Sequence, residues 1–154
     1  MAAHGFAADD VEALRVHASA LIARLVGRPA RRGMDSASAK LSMGFVVATA
    51  LRKGRVGIED FDPAALDDAA TFELARRIEV VDDGNPNPNA LGPQAVEVVL
   101  KDGRMLRLEV PHFLGSPGRP LPVADQHAKF MACCASAVPP MPVSRAEALA
   151  VALR

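Results

Sequence analysis

Tyrosine and tryptophan are missing altogether, and six phenylalanines are the only aromatics in the 154 residues. No phenol is therefore on hand as an acid, and no indole as a stacking platform. Cysteine occurs only as the adjacent Cys133 and Cys134. A vicinal pair is too constrained for an ordinary disulfide and builds no framework, so a reducing cytoplasm is the expected setting. Net charge is absent too, with 18 Lys+Arg against 18 Asp+Glu. Such a chain lacks the excess of cations that drives phosphate binding, and nucleic acid is not an expected partner. No apolar run reaches the roughly 18 residues of a membrane span. The first residues lack the basic and apolar stretches of a signal peptide. The four histidines at 4, 17, 112 and 127 show neither i, i+4 nor H-x-H spacing, so no metal site is expected. Gly115-Ser116-Pro117-Gly118 lacks the Lys-Ser/Thr of a phosphate loop, and Pro117 removes an amide donor.

What is present is apolar content, at 50% of residues. That is enough to bury a core and argues against disorder. The expected organisation is one domain over residues 1–138, then a Pro-rich break and a short helix over 139–154.

Glu12 to His17 nearly alternate polar and apolar, which reads as a half-buried strand. Leu14 and Val16 share one face; Arg15 and His17 take the other. The stretch Ala18–Val26 suits a helix ending at Gly27. Residues 27–36 form a basic loop with Arg28, Arg31 and Arg32. Ser36 or Ser38 then caps a helix from about Ala37 to Lys53, apolar on nearly every side from Met43 to Leu51. Gly54 ends it behind Arg52 and Lys53, which suit the negative end of the helix dipole. Asp62-Pro63 opens two short helices with a break near Asp67-Asp68. Ile78–Asp82 reads as a strand.

Ala95–Leu100 and Arg104–Val110 flank Lys101-Asp102-Gly103 as a hairpin. A two-residue Asp-Gly turn would set Val98 against Arg107. A three-residue loop with left-handed Gly103 instead pairs Val98 with Leu106, Val96 with Leu108 and Glu97 with Arg107. The second register is predicted. A helix over 123–137 carries Phe130, Cys134 and Ala137 on one stripe, and Ser144 offers a capping box for a last helix. The order implies an α+β fold: two layers, a mainly antiparallel sheet, and helices packed on one face.

Four groupings could carry chemistry. Arg28, Arg31 and Arg32 could clamp a carboxylate or phosphate, although a solvated loop is the simpler reading. Lys40 and Ser42 lie where a helix start could hold an anion; a capping Ser with a snorkelling Lys fits equally well. His17 belongs to the outer sheet face unless another domain covers it. Cys133 and Cys134 read as small packed side chains.

These residues, in this order, resemble the C-terminal part of the MmgE/PrpD family, which includes 2-methylcitrate dehydratase, cis-aconitate decarboxylase and iminodisuccinate epimerase. His4-Gly5-Phe6 and Asp10-Val11 leading into His17 are similar to "HGL…DV…V.V.TH". The run from Ala39-Lys40-Leu41-Ser42 to Phe45 and Ala48 resembles "AKFSLPYxxA". Gly54-Arg55-Val56 with Phe61, Val96 to Arg104, and Gly115 to Leu121 with Lys129-Phe130 resemble "GxV…F", "VEVxLxDGR" and "GxPxxPLS…KF". The resemblance covers roughly residues 4 to 135.

It implies the family's smaller α+β domain, packed against a larger helical one, and proton chemistry beside a carboxylate in small polycarboxylates. It implies no metal or organic cofactor. Most of the family's acid/base residues lie in the helical domain. A further Lys and His lie in a "KPYP…H" segment, and the matched residues begin after it. No catalytic residue is therefore carried over. The Tyr of "SLPY" falls on Phe45, which has no hydroxyl. Lys40, Ser42 and Phe45, with His17, Arg28, Arg31 and Arg32, remain candidates for a pocket wall. The implied partners are a helical domain or chain, further copies of this chain, and a small polycarboxylate. A stand-alone, non-catalytic binding or assembly module is the competing expectation.

Overall fold

The computed structural model describes residues 5–152, so His4 of the first motif lies outside the described residues. The chain divides into two compact units, Met1–His112 and Phe113–Arg154.

In the first unit, four strands form one sheet: β1 (Val11–Ala18), β2 (Ile78–Asp82), β3 (Gln94–Leu100) and β4 (Met105–Val110). Their order is β2-β1-β3-β4; β1 and β2 run parallel and the other neighbours antiparallel. Alternation along the strands places Leu14 and Val16 of β1 in register with Val98 and Val96 of β3, and with Ile78 and Val80 of β2. This apolar face packs against Ala48, Leu74 and Ala75 to form the main core. Those residues come from two helices, α3 (Met43–Lys53) and α4 (Ala69–Ala75). Two further helices, α1 (Ala20–Val26) and α2 (Ser36–Lys40), lie between β1 and α3. The fold is α+β, as the segment order implies, with a mixed and mostly antiparallel sheet.

The hairpin takes the predicted three-residue loop. Gly103 sits at φ +87°, and Val98, Val96 and Glu97 face Leu106, Leu108 and Arg107. The Gly103 N–H donates to the Leu100 carbonyl at 2.9 Å, which only the bulged turn allows.

The predicted helix over 37–53 is instead two helices. The first is capped by Asp35, whose carboxylate accepts the Ser38 N–H at 2.9 Å, rather than by Ser36 or Ser38. The chain then turns at Leu41-Ser42, where Ser42 forms an isolated bridge with Gly27. Ser42 becomes the cap of α3, and its Oγ donates to the Arg28 carbonyl at 3.0 Å. A tertiary contact thus overrides a continuous helical pattern. The apolar stretch of α3 is covered: Gly44, Phe45, Ala48 and Thr49 are buried and no residue from Met43 to Leu51 is exposed. Gly54 ends α3 in the left-handed conformation, φ +77°.

Asp62-Pro63 does not cap an α-helix. A single 3-10 turn, Ala65–Asp67, follows, and Asp68 caps α4.

In the second unit, α5 (Val123–Ala135) contacts α6 (Val143–Ala152). Cys134 and Ala146 are buried, and His127 Nε2 lies 3.1 Å from Glu147 Oε2. The last helix starts at Val143, which puts Ser144 inside its first turn rather than at the cap. The Pro142 carbonyl accepts the first helical N–H groups, from Arg145 and Ala146.

Candidate functional site

A cleft of about 600 Å³ opens in the first unit where β1 and β2 meet the loop after α1. Gly27 to Ala30 form one wall, Gly44 of α3 and Ala75 to Arg77 at the end of α4 another, and Arg15, Glu79 and their strand neighbours the rest. Four arginines line it, Arg15, Arg28, Arg76 and Arg77, against one acidic residue, Glu79. Neither His nor Lys lines it. Gly44 permits the close approach of α3 to α4, since a Cβ there would sit 3.1 Å from the Ala75 carbonyl oxygen.

Three of the arginines have partners. Arg15 reaches Glu97 at 3.2 Å and Glu79 at 4.0 Å. Arg76 pairs with Glu73 at 2.8 Å, and Arg77 Nη1 donates to the Val11 carbonyl at 2.8 Å. Among the described residues, no carboxylate lies within ion-pair distance of Arg28. Arg77 has no carboxylate either, but its guanidinium is held by the Val11 carbonyl, which leaves Arg28 as the cleft arginine without a side-chain partner among the described residues. A guanidinium cluster of this kind suits a small, multiply charged carboxylate, because planar N–H pairs match carboxylate oxygens two at a time.

The residues expected from sequence do not gather in one place. Arg28 lines the cleft. Arg32 is drawn away to Asp67, its Nε 2.7 Å from the carboxylate. That hydrogen bond and the opposite charge raise the Arg32 pKa and lower that of Asp67. Arg31 is exposed and outside the cleft lining. Lys40 is exposed at the C-terminal end of α2, 5.6 Å from the Phe61 ring centroid, a cation–π contact rather than an anion cradle. Ser42 is buried and already engaged, accepting the Phe45 N–H as well as donating to Arg28.

Phe45, at 1% exposure, is packed with Ala39, Leu66 and Phe72. Its ring centroid lies 5.3 Å from that of Phe72 and 6.0 Å from that of Phe61. His17 lies on the opposite sheet face from Leu14 and Val16, beside Val81 and Ala95, and its buried Nε2 has no hydrogen-bond partner.

The cleft arginines at 15, 76 and 77 were not legible as a site. Arg15 read as an outer-face strand residue, and Arg76-Arg77 fall just before the predicted strand Ile78–Asp82. Only the parallel pairing of β1 with β2 brings them beside the loop that carries Arg28.

Below α3, Asp60 is buried, and its Oδ2 accepts the Gly57 N–H at 2.7 Å while Oδ1 pairs with Lys53. Burial alone would push the Asp60 carboxyl up; the Gly57 N–H and the Lys53 ammonium outweigh it and hold the group below the usual carboxylate range. Among the described residues, no three His, Cys, Asp or Glu side chains group as metal ligands. No helix among the described residues is long and apolar enough to cross a membrane.

The family model described as the MmgE/PrpD C-terminal domain matches residues 1–154. No curated protein matches the chain.

Proposed function

The chain belongs to the MmgE/PrpD C-terminal domain family, and from that premise we propose that it supplies one wall of a site for a small polycarboxylate. The acid/base residues come from a helical domain, on the same polypeptide or another. The observation that carries this reading is the arginine-lined cleft, whose one carboxylate and lack of His or Lys suit anion binding without proton transfer. Arg28 is the residue expected to take the first carboxylate. On this reading the 154 residues alone bind but do not turn over substrate.

The test has two parts. Titration calorimetry with citrate should show binding that falls at least about tenfold in Arg28→Ala, the loss of one bidentate ion pair. Assays with 2-methylcitrate and cis-aconitate should show no turnover by this chain alone. Turnover by the isolated chain would overturn the dependence on a helical domain, and unchanged citrate binding in Arg28→Ala would overturn the site.

A second reading, a non-catalytic binding or assembly module, is favoured by Phe45. Its ring lacks the hydroxyl of the family's Tyr and is buried among Phe61, Phe72 and Leu66. The two readings separate when a helical-domain chain is added. Turnover supports the first; citrate binding with no turnover supports the second.

A further inference from the structure

Strand β4 is an edge of the sheet, paired only with β3 among the described residues. Its apolar face is not covered as that of β1 is. Leu108 is 54% exposed and, with Leu106, Phe6, Val47, Leu51 and Val96, borders an apolar groove of about 220 Å³. An open strand edge beside an apolar groove is a template for another strand.

The charges on this edge say which strand. Arg107 and Glu109 sit two residues apart on the other face, their side chains 2.8 Å from each other. We propose that β4 pairs antiparallel with β4 of a second copy about a twofold axis through Leu108, joining the two sheets into one of eight strands. In that register Arg107 lies opposite the partner's Glu109, and Glu109 opposite the partner's Arg107. Leu108 meets the partner's Leu108 on the groove side. The pattern is self-complementary, as a twofold interface requires. A one-residue slip from this register would set Arg107 against Leu108 in one direction or Val110 in the other, and would bring opposite faces of the two strands together.

The backbone agrees. The Leu100 N–H donates to the Arg104 carbonyl at 2.9 Å, which closes the hairpin. Alternation from there turns the N–H and C=O groups of Leu106, Leu108 and Val110 toward β3 and those of Met105, Arg107 and Glu109 outward. Residues 107 and 109 are the ones that the proposed register hydrogen-bonds across the axis. Leu108 then forms the central pair without hydrogen bonds, where facing side chains come closest.

The test is the oligomeric state of the full chain by sedimentation over a dilution series, with circular dichroism to confirm folding. The wild-type chain should dimerise. Glu109→Arg sets two arginines against each other on both sides of the axis and should raise the dissociation constant at least about tenfold. The double variant Arg107→Glu/Glu109→Arg restores opposite charges across the axis and should restore the dimer. In a Cys133→Ser background, Leu108→Cys should crosslink under oxidation, because Cα atoms in such a pair lie about 4.5 Å apart. Leu106→Cys, opposite the partner's Val110, should not. A wild-type chain that stays monomeric, or a dimer indifferent to Glu109→Arg, would overturn the interface. A folded double variant that stays monomeric, or a Leu108→Cys dimer that does not crosslink, would overturn the register.

Discussion

Replacing Asp60 with Asn tests whether one buried carboxylate holds the turn that follows α3. The substitution keeps size and shape, and an amide oxygen can still accept the Gly57 N–H. What is lost is the charge facing Lys53, and the new amide N–H₂ meets an ammonium that has no lone pair to accept it. A hydrogen bond to a charged group is worth about 1.5–3 kcal/mol. Because Lys53 is half exposed and solvent screens it, the lower end applies, about 1.5 kcal/mol for Asp60→Asn. Asp60→Ala also leaves the Gly57 N–H without its acceptor, for about 3 kcal/mol in all.

Urea unfolding at neutral pH measures both losses, and pH separates their cause. The folded Asp60 pKa is depressed. Its ionic contribution is therefore fully present above the unfolded value of roughly 3.9 and is lost as pH falls through the folded value. The gap between wild type and Asp60→Asn should be constant from pH 7 to about 5 and shrink below about 4. A gap that is absent at pH 7, or that persists undiminished in acid, would refute the ionic account of this turn.

Three further outcomes follow from the same packing. Ser42→Ala removes both the α3 cap and the bond to the Arg28 carbonyl, and should lower the urea-derived stability by about 1–2 kcal/mol. Phe45→Tyr puts a hydroxyl into a packed aromatic cluster; a loss of about 1–3 kcal/mol is expected, and unchanged stability would mean that the ring edge opens to space. Gly103→Ala forces a side chain into φ +87° and should cost about 1–2 kcal/mol, read as a lower Tm.

Much of the fold was legible because its signals are local. Asp102-Gly103 and the flanking alternation allow one hairpin register that keeps charges off the apolar face, and that register is the one observed. The limits of β2 were likewise readable, as was the stop of α3 at Gly54, from glycine's access to positive φ. The break at Leu41-Ser42 was not. Nothing within the helix forbids continuity there; the break depends on Ser42 meeting Gly27 and Arg28 across a turn of chain.

The site divides along the same line. The basic loop was visible, but its three arginines look alike in sequence and end in different places: Arg28 in the cleft, Arg32 on Asp67, Arg31 in solvent. The sequence by itself determined the α+β class, the hairpin register and the family, all of which rest on short-range periodicity, turn chemistry and ordered motifs. Only the tertiary structure decided where the charges converge and which strand edge stays open. Arg15, Arg28 and Arg76-Arg77 are brought together by the pairing of β1 with β2 and the return of α4, and contacts between distant segments leave no periodic trace along the chain.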